Sequence, residues 1–206
     1  MKLNSKDQNN ISYFNSSDKN TTFELGNRIY KLLSKYILSG KTIVFLCIGT
    51  DRATGDSLGP LIGYKLSKYK HHDYLVYGTL EQPVHAKNLD ETIEIIKSLH
   101  DNSVIIAIDA SLGRSTHVGY ITLGEGSLKP GAGVNKELPA VGDIFITGIV
   151  NFSGVLDHML LQTTRLNVVM SLADQIFLAI NYCTYKIKLN NHTSAYSNIS
   201  ALSETY

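Results

Sequence analysis

Apolar residues recur along this chain with two different periods. Between Phe23 and Leu38 they stand at Leu25, Ile29, Leu32, Leu33, Tyr36 and Ile37, the spacing of one helical face. From Thr42 to Ile48 they form a continuous β-branched and apolar run, as in a strand covered on both sides. The alternation continues with a helix over Leu58–Tyr69, a short strand over Tyr74–Tyr77, a helix over Leu89–Leu99 and a second apolar strand over Val104–Ile108. Val118–Leu123 and Ile144–Ile149 read as further strands, and Leu161–Tyr185 as one long helix or two. This β-α-β-α-β order predicts an α/β sandwich with a largely parallel central sheet. The strands at 42–48 and 104–108 should be central in it, because only doubly covered strands are apolar on both faces. Ligands in such folds sit beyond the carboxyl ends of the strands.

Outside this body the pattern fades. Residues 1–22 and 190–206 are polar and aperiodic, which predicts disordered tails around a single domain at 23–189. With 19 Lys and Arg against 18 Asp and Glu, the net charge is +1, so bulk charge recruits the chain to neither nucleic acid nor membrane. Two cysteines, Cys47 and Cys183, are too few for a disulfide scaffold or a structural zinc site and suit a reducing cytosol. The N-terminus carries no apolar run of signal-peptide length, and no stretch of ~18 apolar residues spans a bilayer. A cytoplasmic protein is expected.

Four segments that follow strands stand out: 48–60, 78–89, 108–113 and 129–136. Several familiar motifs fail on them. Five residues, not four, separate Gly49 from Gly55, and Asp56 stands where a phosphate loop needs Lys. Gly131-Ala132-Gly133 is followed by Val134, Asn135 and Lys136 rather than by the third glycine of a dinucleotide fingerprint. No H-E-x-x-H occurs. Gly55-Asp56-Ser57-Leu58-Gly59 fits G-x-S-x-G, which would make Ser57 a nucleophile, but no histidine has Asp three residues before it and the loop is long for a nucleophile elbow.

The carboxylates make a stronger case. Asp56 precedes a helix and Asp109 ends a core strand, and in a parallel sheet the two loops can converge at one rim. Two close carboxyls share a proton and could activate water and protonate a leaving group. The same pair could instead hold a divalent cation with His85 as third ligand. Structural roles stand beside these: Asp56 as a helix N-cap, Asp109 as a loop anchor, His85 as a hydrogen-bonded residue, Arg52 as a surface residue and Gly131 and Gly133 as turn formers.

Together the segments resemble the sporulation protein YyaC family. The resemblance covers roughly 23–185. It rests on Gly-Thr-Asp-Arg-x-x-Gly-Asp-x-Leu-Gly-Pro at 49–60, Pro-Val-His-Ala at 83–86, Pro-Gly-Ala-Gly-Val at 130–134, Ile-Thr-Gly-Ile-Val-Asn at 146–151 and Leu-Gln-x-Thr-Arg-Leu at 161–166. That family is similar to the spore germination protease, an atypical aspartic peptidase that degrades small acid-soluble spore proteins. The protease's fold resembles that of the hydrogenase-maturation peptidases, a three-layer α/β/α sandwich. The resemblance implies Asp56 and Asp109 as catalytic aspartates, the match of 130–134 to a Pro-Gly-x-Gly-Val run, and a protein or peptide substrate such as a spore protein. Asp51, Arg52, His85, Gly131 and Gly133 are expected to line the cleft, with backbone N–H groups at 131–134 as oxyanion donors. The chain is much shorter than the protease and shows no evident propeptide. The maturation peptidases bind nickel through two acidic residues and a His; Asp56 and Asp109 can match the first two, whereas His85 lies on a different loop. No cofactor is expected; the alternatives are a non-catalytic sporulation protein that binds a ligand or partner at the same cleft, and a divalent metal at Asp56, Asp109 and His85. Nucleic acid and membrane are not expected partners, and self-association is left open.

Overall fold

A computed structural model describes residues 11–69, 73–131, 138–154 and 156–203, with side chains to Asn190. Its elements are β1 (Ser12–Asn15), α1 (Thr21–Leu38), β2 (Thr42–Cys47), α2 (Leu58–Ser67), β3 (Tyr74–Tyr77), α3 (Leu89–Leu99), β4 (Ser103–Gly113), β5 (Tyr120–Glu125), β6 (Ile144–Phe152), α4 (Asp157–Gln162) and α5 (Leu166–Ser203). The six strands form one sheet in the order β1-β5-β6-β4-β2-β3. The pairs β2–β3, β2–β4 and β4–β6 are parallel; β5 and β1 join antiparallel at one end. The two apolar strands are both interior, and helices cover both faces.

One face carries α1, α2 and α5. Leu25, Ile29 and Leu33 of α1, Leu58, Ile62 and Leu66 of α2 and Val169, Leu172, Ile176 and Ile180 of α5 bury against Phe45, Ile106, Ile108 and Ile146 of the sheet. By length and composition the Leu166–Asn190 stretch of α5 could cross a membrane. Its stripe at 169, 172, 176, 180 and 183 is nevertheless buried in this core, so it serves as a core helix here. The other face is covered by α3, whose Leu89, Ile93 and Ile96 pack on Val44, Leu46 and Ala107.

Three boundaries differ from the sequence pattern. Within the tail expected over 1–22, Ser12–Asn15 pair with Tyr120–Leu123 as an edge strand and Thr21 opens α1; residues 1–10 lie outside the described residues. The tail expected from 190 is instead a helix to Ser203, continuing the backbone ladder of α5. Most relevant to chemistry, β4 does not end at Ile108 or at Asp109. It runs to Gly113, because β6 supplies a parallel partner as far as Phe152, with an irregularity between Ser111 and Leu112. Asp109 therefore sits inside a strand.

Candidate active site

The carboxyl end of β2 sets the site. Ile48 donates its N–H to Ile108 at 2.7 Å, and Gly49 donates to Val84 at 2.8 Å, which draws the 83–86 loop alongside. Gly49 has φ +138°, and a Cβ there would lie 2.0 Å from the Asp56 carbonyl oxygen. Only glycine lets the chain fold back so tightly. Thr50 N–H donates to that same carbonyl at 3.1 Å, closing the loop. Asp56 is thereby held in a 3-10 turn at Thr54–Ser57 that leads into α2. No side chain caps α2, so Asp56 is not spent as an N-cap.

Asp109 reaches the same place from β4. Asp56 and Asp109 both line a cavity of about 170 Å³, with Thr50, His85, Gly131, His158, Leu161 and Gln162 among its other walls. Asp109 is only 5% exposed. Burial pushes its carboxyl up to about 8, and the Asp56 charge adds to the rise. Hydrogen bonds from the N–H groups of Ala110, at 2.8 Å, and Gly131 oppose it. Burial likewise raises Asp56 to about 6, against a backbone hydrogen bond from Thr50. Both carboxyls thus lie above the usual carboxylate range, with Asp109 the higher because it is the more deeply buried and feels the Asp56 charge.

The remaining expected residues divide. His85 lines the cavity, and its buried Nδ1 has no hydrogen-bond partner among the described residues. Its loop is fixed by Asn88, whose Oδ1 accepts the His85 N–H at 2.8 Å and whose Nδ2 donates to Pro83 at 3.1 Å. Gly131 also lines the cavity, but its N–H bonds Asp109, which removes it as an oxyanion donor. Gly133 lies outside the described residues. Asp51 and Arg52 do not line the cavity; they occupy an exposed turn, where the Arg52 N–H bonds Thr50 Oγ1 at 3.3 Å. Among the described residues no three His, Cys, Asp or Glu side chains converge as a metal-binding group. Ser57 is buried, donates to the Thr54 carbonyl at 2.7 Å and lies off the cavity.

The sequence pattern did not point to His158 and Gln162. They stand one helical turn apart on α4, 3.3 Å apart between their Nε2 atoms. The available signal was their i, i+4 spacing just after a strand that enters the parallel part of the sheet.

The family model described as "Protein of unknown function (DUF1256)" matches residues 13–179. The chain is 56% identical over 136 residues to "Uncharacterized protein YyaC" of Bacillus subtilis (strain 168). That match spans 66% of each, just under two thirds of the relative's own length. Among solved structures, the crystal structure of a NiFe hydrogenase maturation protease HycI from Thermococcus kodakarensis KOD1 superposes with a TM-score of 0.42 at 16% identity, covering 68% of this chain and 93% of that one.

Proposed function

The chain belongs to the DUF1256 family, and for it we propose hydrolysis of a peptide bond by Asp56 and Asp109 acting as a proton-sharing pair. The observation that carries this reading is that two carboxyls from separate elements, one of them deep inside a strand, line one small cavity. A carboxyl in such a place is disfavoured unless its proton is used.

Near neutral pH Asp56 carries the charge and Asp109 the proton. Water bound between them loses a proton to Asp56 as its oxygen attacks the carbonyl carbon. Asp109 gives its proton to the carbonyl oxygen, forming a neutral tetrahedral diol. Collapse breaks the C–N bond: the nitrogen takes the proton from Asp56 and one hydroxyl returns a proton to Asp109. The pair ends as it began. His85 and His158 are placed to position the substrate amide at the cavity wall.

The motif resemblance makes spore proteins the first substrates to test and a cytoplasmic, sporulation-associated setting the one to expect. Purified full-length chain should cut small acid-soluble spore proteins, read by mass spectrometry, with and without added divalent metal. Cleavage that persists in folded Asp109→Asn would overturn the pair.

A further inference from the structure

A second and larger cavity, of about 440 Å³, is lined by residues of β1, β4, β5 and β6. Register places it relative to the first. Asp109 pairs with Thr147 on β6, Thr147 with Thr122 on β5, and Thr122 with Tyr13 on β1. Directly paired residues point to one face, so these four side chains form a row across the sheet. Three inter-strand steps of ~4.8 Å make it ~14 Å long. Asp109 stands in the first cavity; Thr147, Thr122 and Tyr13 line the second, joined by Ser111, two residues along β4 from Asp109.

The second cavity is chemically furnished. Ser111, Thr122 and Thr147 are 5%, 6% and 1% exposed. Thr122 and Thr147 are bonded through their Oγ1 atoms at 2.7 Å, Ser111 Oγ lies 3.1 Å from Thr147 Oγ1, and Ser111 reaches the Gly148 carbonyl at 3.3 Å. If Ser111 donates to that carbonyl, the Thr122 end is left as an acceptor; with the protons reversed it is a donor. Such an end suits a polypeptide backbone, which offers both groups. Among the described residues the wall also holds Arg114 and no carboxylate. Arg114 takes part in neither ion pair recorded among the described residues. The His117 ring, between Tyr13 at 5.6 Å and Tyr120 at 5.3 Å, closes the rim.

We infer that this cavity binds the polypeptide segment flanking the scissile bond and selects an acidic side chain in it through Arg114. The inference rests on Asp56 and Asp109 being a peptidase pair and adds the substrate's recognised feature. Arg114 follows Asp109 by five residues, with β4 running to Gly113 between them, a span of ~16–17 Å, so the acidic residue should lie about five extended positions from the cut. Continuity of the row with Asp109 favours a chain over a small free anion.

The test is titration of isotope-labelled full-length protein with acetyl-Ala-Ala-Glu-Ala-Ala-amide and its Gln counterpart, read by NMR. The Glu peptide should shift the amide signals of Thr122, Thr147 and Arg114 and bind about two- to fivefold more tightly than the Gln peptide, the range for a partly exposed charge pair. Arg114→Gln should abolish that difference and Arg114→Lys should keep it. Shifts confined to other residues, a preference that survives Arg114→Gln, or inorganic phosphate binding these residues more tightly than the Glu peptide would each overturn the inference. Titration needs no turnover, so the two readings fail separately. Peptide binding here without any cleavage defeats the peptidase reading. Cleavage whose charge preference ignores Arg114→Gln defeats the subsite alone.

Discussion

On the side of the sheet packed by α1, α2 and α5, the interior strands present Phe45, Cys47, Ile106, Ile108, Ile144 and Ile146, all apolar and all buried. On the opposite side the same strands present Leu46, Ala107 and Phe145, and then, two residues further along β4 and β6, Asp109 and Thr147. Burial is equally deep on both sides, so burial alone does not explain the change. A carboxyl in the interior loses solvation that an apolar side chain of similar size would not need. Stability selects the first face. The polar end of the second runs against stability, and such local conflicts mark where a fold places its chemistry.

Replacing Asp109 by Asn separates the two regions most sharply. The amide keeps the shape but cannot carry the shared proton, so hydrolysis per folded molecule should fall by roughly 10²–10⁴-fold while the fold stays intact. Asp56→Asn should do the same. On the other face Ile176, fully buried on α5, should behave in the opposite way. Ile176→Ala should destabilise by about 2–5 kcal/mol in denaturant titration, with the folded fraction retaining its activity. Activity lost with stability kept at Ile176, or the reverse at Asp109, would erase the distinction between the faces.

How much of this was legible in the chain depends on what each segment buries. The runs at 42–48 and 104–108 are apolar on both faces, which only an interior strand tolerates, and they are interior. The helical stripes of α1 and α3 announce themselves because one side faces a core. The continuation of β4 through Asp109-Ala110-Ser111 was hidden, since its polar residues break the apolar run while its backbone keeps pairing with β6. β1 was hidden for a related reason: a four-residue edge strand with Tyr13 half exposed has almost no pattern to read. Asp56 and Asp109 were visible as carboxylates that follow the apolar runs of β2 and β4. Asp51 and Arg52, equally polar and nearly adjacent to Asp56, face solvent instead, because the fold-back at Gly49 turns only Asp56 inward. His158 and Gln162 enter from a short helix far along the chain, and that convergence is a property of the tertiary fold.

A further difference between the faces lies in their response to pH. Burial raises Asp109 to about 8 and Asp56 to about 6 in the folded protein, against ~3.9 in the unfolded chain. The folded state therefore holds protons that the unfolded state has already released. The resulting stability is fully present below about pH 4 and is lost as pH rises, first through the Asp56 value and then through the Asp109 value near 8. The slope per proton is at most ~1.4 kcal/mol per pH unit. Asp109→Asn should flatten the upper part of this decline, whereas Ile176→Ala should lower the whole curve without changing its slope. Denaturation midpoints at a series of pH values measure both; a wild-type curve that is level from about pH 5 to 8 would contradict the buried, coupled pair. The same pair predicts a pH–rate profile that rises near 6 and falls near 8.

The smallest expected effect is at Ser57, and it is informative because Ser57 neighbours Asp56 in a segment that reads as a serine-hydrolase motif. Its hydroxyl is buried and donates to the Thr54 carbonyl, which closes the turn that carries Asp56, and it does not reach the cavity. Ser57→Ala removes that bond and leaves the Thr54 carbonyl with only the backbone partner of its 3-10 turn. The loss should be about 0.5–1.5 kcal/mol, seen as a modest drop in melting temperature. The rate of hydrolysis per folded molecule should be unchanged, since the carboxyl pair keeps its proton and its cavity. A serine nucleophile would give the reverse: stability nearly intact and turnover gone. Measuring both quantities in this one variant decides whether the chemistry sits with the carboxyls on the polar face or with the hydroxyl packed behind them.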